Sequence, residues 1–173
     1  MSLSRLVDAL LRIAVQWLHV VSGILWIGGG FYTIVVQLPA VLAMPPAARG
    51  PAMAQIVPRQ FRYILRVAEL TIFWGVVNVF VSGRAQQLLT LDSRWAWSII
   101  LGALGAIFIY ALVRARLGPW AVRMLELGPK AAGGDASAAA EQAALMGRIR
   151  RLGYLQLGVG ILIVLAMVVA RFS

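Results

Sequence analysis

Two residue types that carry much of protein chemistry are nearly missing from this sequence. Its 173 residues include no cysteine and a single histidine, His19. Without cysteine there is no disulfide, no thiolate nucleophile, no zinc ribbon, no iron–sulfur ligation and no CxxCH attachment of a c-type haem. With one histidine, an all-histidine metal site, or a haem held between two histidines, would need one histidine from each of two subunits.

Charge is scarce as well. Charged residues make up 13% of the chain and hydrophobic residues 61%, and the mean hydropathy is +0.86. A water-soluble domain has about a quarter charged residues and under half apolar ones, so the excess apolar surface must face lipid. The net charge of +10 is then explained by arginines that flank membrane spans, and we expect the lipid bilayer and no nucleic acid as a partner.

Four apolar stretches are each long enough to cross the roughly 30 Å hydrocarbon core of a bilayer. They comprise residues 14–36, 64–81, 95–113 and 152–170. Each is apolar on every side, which disfavours a transmembrane β-barrel. The sequence therefore predicts one all-α domain over residues 1–173, a transmembrane bundle of four antiparallel helices. No internal sequence repeat is visible.

The two long connections differ in composition. Residues 39–63 contain five prolines, which predicts a broken loop with room for one short helix. Residues 114–151 begin with a segment whose apolar and charged residues fall on opposite helical faces, which predicts a helix at the membrane interface. Its apolar face is formed by Leu117, Trp120, Ala121 and Met124.

Basic residues are distributed unequally between the two ends of the predicted bundle. The two long connections, residues 39–63 and 114–151, hold ten, whereas the termini and the short connection together hold five. Cytoplasmic loops carry the excess of lysine and arginine in multi-pass proteins. We therefore expect both long connections in the cytoplasm and both termini outside.

His19 is the first candidate for a functional residue, because polar groups are costly within a span and mark functional sites by default. On a helix it shares one face with Ser22, Gly23, Trp26, Gly30 and Thr33. Glycines beside a histidine leave room for a flat macrocycle, but the same absence of side chains lets another helix pack closely. Haem or metal ligation, an interhelical hydrogen bond and a role as an interfacial anchor all remain open.

Met167 is a candidate for a second metal ligand. In the predicted topology His19 lies in the outer half of the membrane, and the fourth helix brings Met167 to a similar level. Ligation of a haem iron by histidine and methionine is therefore conceivable. The alternatives are an open coordination position, and a methionine that only fills space in the core.

Arg66 and Glu69 lie three residues apart at the start of the second span, hence on one helical face. Arg66 could bind haem propionates, quinone oxygens or lipid phosphates. The alternative is an ion pair at the inner edge, in which the arginine extends to the membrane surface and lowers the cost of the carboxylate.

The segment WLHVVSGILWIGGGFYTIVVQLPAVLAMPPAARG, residues 17–50, resembles the first helix of a group of small bacterial membrane proteins. The group comprises CopD-like copper-resistance proteins, HemJ-type protoporphyrinogen oxidases and the membrane domain of bacterial urate oxidases. The resemblance is strongest to the CopD-like branch and covers about the first 80 residues. It implies a bacterial inner-membrane protein in which His19 is a haem b ligand. The third span lacks the basic residue of the HemJ type.

Two classes of function follow. In the first, the chain is a haem b-binding redox or electron-transfer component, with His19 on the iron, Gly23 and Gly30 making room and Trp26 lining the pocket. In the second, it is a non-catalytic subunit that packs against a second copy or a larger membrane complex through small residues, namely Gly23, Gly30, Gly102, Gly105 and Gly158. CopD-like copper handling is a further alternative.

Overall fold

The structure is a computed structural model that describes residues 2–173, a range in which every regular element is helical. The α-helices are α1 (Leu3–Tyr32), α2 (Leu38–Ala43), α3 (Pro46–Val81), α4 (Gln87–Thr90), α5 (Arg94–Leu112), α6 (Gly118–Ala132) and α7 (Ala136–Arg171). Two π-helical turns, Thr33–Gln37 and Val113–Leu117, join α1 to α2 and α5 to α6.

The prediction of an all-α bundle of four antiparallel helices is confirmed. Four helical segments are long and apolar enough to cross a membrane, and each contains one of the predicted spans. Their bounds are Leu3–Ala43, Ala47–Val81, Arg94–Ala132 and Ala136–Arg171. We call the end of the bundle that carries residues 39–63 and 114–151 the connection end, and the opposite end the terminal end.

The prediction of a broken loop over residues 39–63 is wrong. Only Met44 and Pro45 separate α2 from α3, and Pro51 and Pro58 lie inside α3. Both of these prolines are exposed, so the carbonyl groups that lose their helical partners face the surface, where other donors can reach them. As a result α3 has 36 residues, a length of about 54 Å, and extends well beyond a hydrocarbon core of roughly 30 Å.

The predicted interfacial helix exists as α6, but its apolar face does not lie free for lipid. Met124 and Leu127 are buried in a cluster with Ala138 and Leu145 of α7. On the other face, Arg123 forms an ion pair with a glutamate of α7, at 2.8 Å. The helix is amphipathic because it packs on another helix of the same chain.

The two π turns have the same local cause. A proline ring clashes with the carbonyl group four residues earlier and cannot donate a hydrogen bond to it. Pro39 and Pro119 each follow a π turn, and four residues before them lie Val35 and Ala115. Each of these is the central residue of its π turn, where the helix widens to accommodate the mismatch.

The chain therefore repeats one plan. In each half a long apolar helix ends in a five-residue π turn, continues past a proline and is followed by a helix of 36 residues. Within each half the two long helices pack closely, α1 against α3 and α5 against α7. Glycines permit this packing in the second half, since a β-carbon at Gly102 would overlap Met167 and one at Gly105 would lie 2.8 Å from Ile163.

Candidate histidine site in the seam between α1 and α3

The contact between α1 and α3, here called the seam, contains the candidate histidine. The helical face of α1 that carries His19 points inward: Ser22, Trp26 and Gly30 of this face are buried, and His19 is half-buried. The seam therefore places an imidazole against α3, inside one of the predicted spans.

The imidazole of His19 is held by a backbone group of α3. Its Nδ1 lies 3.0 Å from the carbonyl oxygen of Thr71. Because a carbonyl oxygen can only accept a hydrogen bond, Nδ1 carries the proton and Nε2 has the lone pair. Among the described residues Nε2 has no hydrogen-bond partner, and it is not a buried atom. A metal-ligating histidine is fixed by a carbonyl in the same way, and so is a histidine that only joins two helices.

Gly75 makes room for the imidazole ring. A β-carbon at this position would lie 2.9 Å from Cε1 of His19 and 3.2 Å from Nδ1. Any side chain here would push the ring away from the α3 backbone, so Gly75 and the hydrogen bond to Thr71 together determine where the ring lies.

Further polar contacts follow the seam on both sides of His19. Towards the terminal end, Asn78 donates to the Gln16 side chain at 2.7 Å. Towards the connection end, the hydroxyl group of Tyr63 donates to the carbonyl oxygen of Leu25 at 3.3 Å. These bonds join α1 to α3 along most of their shared length, and they satisfy polar groups that would be costly in lipid.

The residues predicted to make room for a macrocycle are occupied by packing. Gly23 faces the Thr71 methyl group, which a β-carbon would meet at 3.6 Å, and Gly30 faces the Gln156 amide at 3.0 Å. Trp26 is buried in the main hydrophobic cluster between them. The space beside Gly23 and Gly30 is therefore filled by α3 and α7, and a tetrapyrrole does not fit there. His19 itself is only half-buried.

Met167 contacts a different part of the fold from His19. Its side chain packs over Gly102 of α5, whereas the ring of His19 lies against Gly75 of α3. The contacts of the two side chains thus do not bring them together, and ligation by the pair stays a prediction. Residues 2–173 also contain no group of three or more His, Cys, Asp or Glu side chains that could hold a metal ion.

Arg66 lies away from His19. It precedes Gly75 by nine residues on α3, or about 14 Å along the helix. Its side chain is 81% exposed and pairs with Glu69 at 3.1 Å. The carboxylate has a second partner, because the hydroxyl group of Tyr110 on α5 donates to it at 3.2 Å.

We expect the two partners of Glu69 to substitute for one another. Arg66→Ala and Tyr110→Phe should each lower the free energy of unfolding by less than about 1 kcal/mol, because one donor remains. The double variant should lose more than the sum, since it leaves the carboxylate without a partner. Thermal unfolding of all three variants in one detergent measures this, with Glu69→Gln as a mild control. Additive losses would contradict the shared role.

The sequence pattern did not identify Thr71 or Gly75. Both are ordinary members of an apolar span, and their importance depends on the alignment of α3 against α1. A signal was nevertheless present, because the two residues are four apart and therefore share one helical face.

The comparisons with protein-family models, with curated proteins and with solved structures give no match to this chain. The resemblance of residues 17–50 to the CopD-like and HemJ-type group therefore stays a prediction.

Proposed function

We propose that this multi-pass protein lies in the bacterial inner membrane and takes part in electron transfer as a haem b-binding component, with His19 as an iron ligand. The observation that supports the proposal is the fixed imidazole: Nδ1 donates to the carbonyl oxygen of Thr71, and Nε2 has no hydrogen-bond partner among residues 2–173. Bound haem b would supply one-electron chemistry at its iron.

The role of this chain is limited to the imidazole and its support. Thr71 sets the tautomer and Gly75 sets the ring position. Because the helix face around Gly23 and Gly30 is packed, the walls of a haem pocket would have to come from outside the seam. A second copy of the chain, or another subunit of a membrane complex, would provide them together with any further iron ligand.

A non-catalytic membrane subunit is the second candidate function, and the seam itself favours it. The bonds of His19 to Thr71 and of Gln16 to Asn78 are already complete interhelical contacts without any cofactor. Of the glycines expected to face a partner, Gly158 has no side chain or other helix of residues 2–173 within 4 Å of its missing β-carbon, whereas Gly23, Gly30, Gly102 and Gly105 pack internally.

The absorbance spectrum separates the two functions. Protein purified in mild detergent without added cofactor should show a Soret band that shifts on reduction, and pyridine extraction should identify haem b. A folded protein that has no such band, and that gains none on titration with haemin, would be the non-catalytic subunit.

The orientation has its own test, which the cysteine-free chain makes simple. Single cysteines at Ala132 and Ser137 should react with a membrane-impermeant maleimide only from the cytoplasmic side, and one at Gln87 only from outside, because ten basic residues outweigh five. Labelling in the reverse pattern would contradict the proposed topology.

A further inference from the structure

A cavity of about 120 Å³ lies between the long helices at the connection end, separate from His19. Both π turns line it, through Thr33 and Gln37 in the first half and through Val113 and Leu117 in the second. Some of its lining residues lie just inside the ends of the predicted spans and others just outside them. The cavity therefore lies at the depth where the hydrocarbon core meets the head groups.

The polar groups of the cavity are neutral and only partly paired. Gln37 donates to the Gln60 side chain at 2.9 Å, Gln60 donates to Thr33, and Thr33 donates to the carbonyl oxygen of Gly29 at 2.7 Å. Among residues 2–173 no group donates a hydrogen bond to the side-chain oxygen of Gln37. The amide of Gln156, on the opposite wall, has no hydrogen-bond partner among residues 2–173.

The other residues that line the cavity disfavour a charged ligand. None of the lining residues is ionisable, and apart from the amides and Thr33 they are apolar or glycine. Three of them are methionines, Met53, Met124 and Met146, whose flexible side chains adapt to the shape of a ligand. A charged head group would be buried here without a counter-ion, which is costly, so the fitting ligand is uncharged.

The size of the cavity restricts the ligand further. An enclosed protein cavity of about 150 Å³ binds one benzene molecule. This cavity, at about 120 Å³ and open on one side, is therefore close to the size of a single six-membered ring and far too small for a tetrapyrrole. Because the cavity is open at the surface of the bundle, an attached hydrocarbon chain can leave it into the lipid.

We propose that the cavity binds the ring of a lipid-soluble quinone. A quinone carbonyl accepts a hydrogen bond from the nitrogen of an amide, and the hydroxyl group of the reduced form donates to the oxygen of an amide. Gln156 offers both groups and Gln37 offers the oxygen, so one site serves both oxidation states. This inference does not depend on haem at His19.

Equilibrium dialysis of the purified full-length protein tests the proposal. The probe is a benzoquinone with one isoprenyl unit, and its naphthoquinone counterpart, whose two fused rings exceed the cavity, is the size control. We expect saturable binding of the benzoquinone at about one molecule per chain and weaker binding of the naphthoquinone. Gln156→Leu should weaken binding about tenfold, the value of one net hydrogen bond, and it leaves no protein group without a partner.

A second variant tests the cavity by its volume. Ala121 is buried and lines the cavity, so Ala121→Phe should abolish binding by filling it. Matched controls make the same changes elsewhere: Gln86→Leu on the exposed connection at the terminal end, and Ala103→Phe on the exposed face of α5. Both controls should bind as the parent does.

Three results would overturn the inference. They are the absence of saturable binding of the benzoquinone to folded parent protein, unchanged binding by Gln156→Leu or by folded Ala121→Phe, and displacement of the quinone by equimolar diacylglycerol. The last result would make the cavity a site for lipid esters. Should Ala121→Phe fail to fold, Gln156→Leu against Gln86→Leu still decides the outcome.

Discussion

Gly75→Ala should destabilise the protein by about 2 kcal/mol and displace the imidazole of His19. The new methyl group would lie 2.9 Å from Cε1 of His19, closer than carbon atoms approach without a shift of one or the other. Such overpacking costs about 1–3 kcal/mol, and loss of the bond from Nδ1 to Thr71 adds about 1 kcal/mol. The better helix propensity of alanine offsets part of this, by about 1 kcal/mol.

Gly28→Ala is the matched control for Gly75→Ala. Gly28 is also inside a long helix, but apart from its immediate chain neighbours and the backbone of its own helix, no atom of residues 2–173 lies within 4 Å of the place where its β-carbon would be. The same substitution should here leave stability unchanged or raise it slightly. Thermal unfolding of both variants in one detergent gives the comparison. Equal stability of the two variants would show that His19 does not need the space at Gly75.

Hydrophobicity alone identified the four membrane-crossing segments, because each contains enough consecutive apolar residues to span a bilayer. It could not give the full length of the helices. Proline was interpreted as an end to helical structure after residue 39, yet Pro51 and Pro58 are accommodated on the exposed side of α3. A proline destabilises a helix only near its own position, and the packing of a long helix outweighs this local cost.

The sequence predicted which residues of α1 share one helical face. It did not predict which residues of α3 lie opposite them. Helical periodicity places Ser22, Trp26 and Gly30 on one face, and all three are buried. Which residues of α3 oppose them depends on the relative shift of two helices, which neither helix encodes alone. For that reason the glycines suggested space for a macrocycle, whereas Thr71 and Gln156 occupy it.

The cavity was missed for a related reason. Gln60 belongs to the segment interpreted as a loop, and amides in a loop carry no structural signal. The repeated plan of the two halves was also hidden, although a proline follows each π turn at the same distance. Two halves of a chain can share this arrangement of helices when only a few residues, such as the prolines, keep the same spacing. The sequence as a whole therefore shows no visible repeat.

His19→Ala has the largest effect that we expect, a complete loss of bound haem b. His19 is the single histidine of the chain, and its Nε2 has no hydrogen-bond partner among residues 2–173. The variant also loses the bond to Thr71, so its stability must be compared with that of Asn78→Ala, which breaks a neighbouring bond of the seam without removing an iron ligand. Asn78→Ala should retain the cofactor.

The most direct measurement is the haem content per folded chain of the parent protein, His19→Ala and Asn78→Ala, from the Soret band of samples purified side by side without added cofactor. We expect haem b in the parent and in Asn78→Ala and none in His19→Ala. Equal haem content in the parent and in His19→Ala would contradict the assignment of His19 as the iron ligand, as would the absence of haem from all three folded proteins.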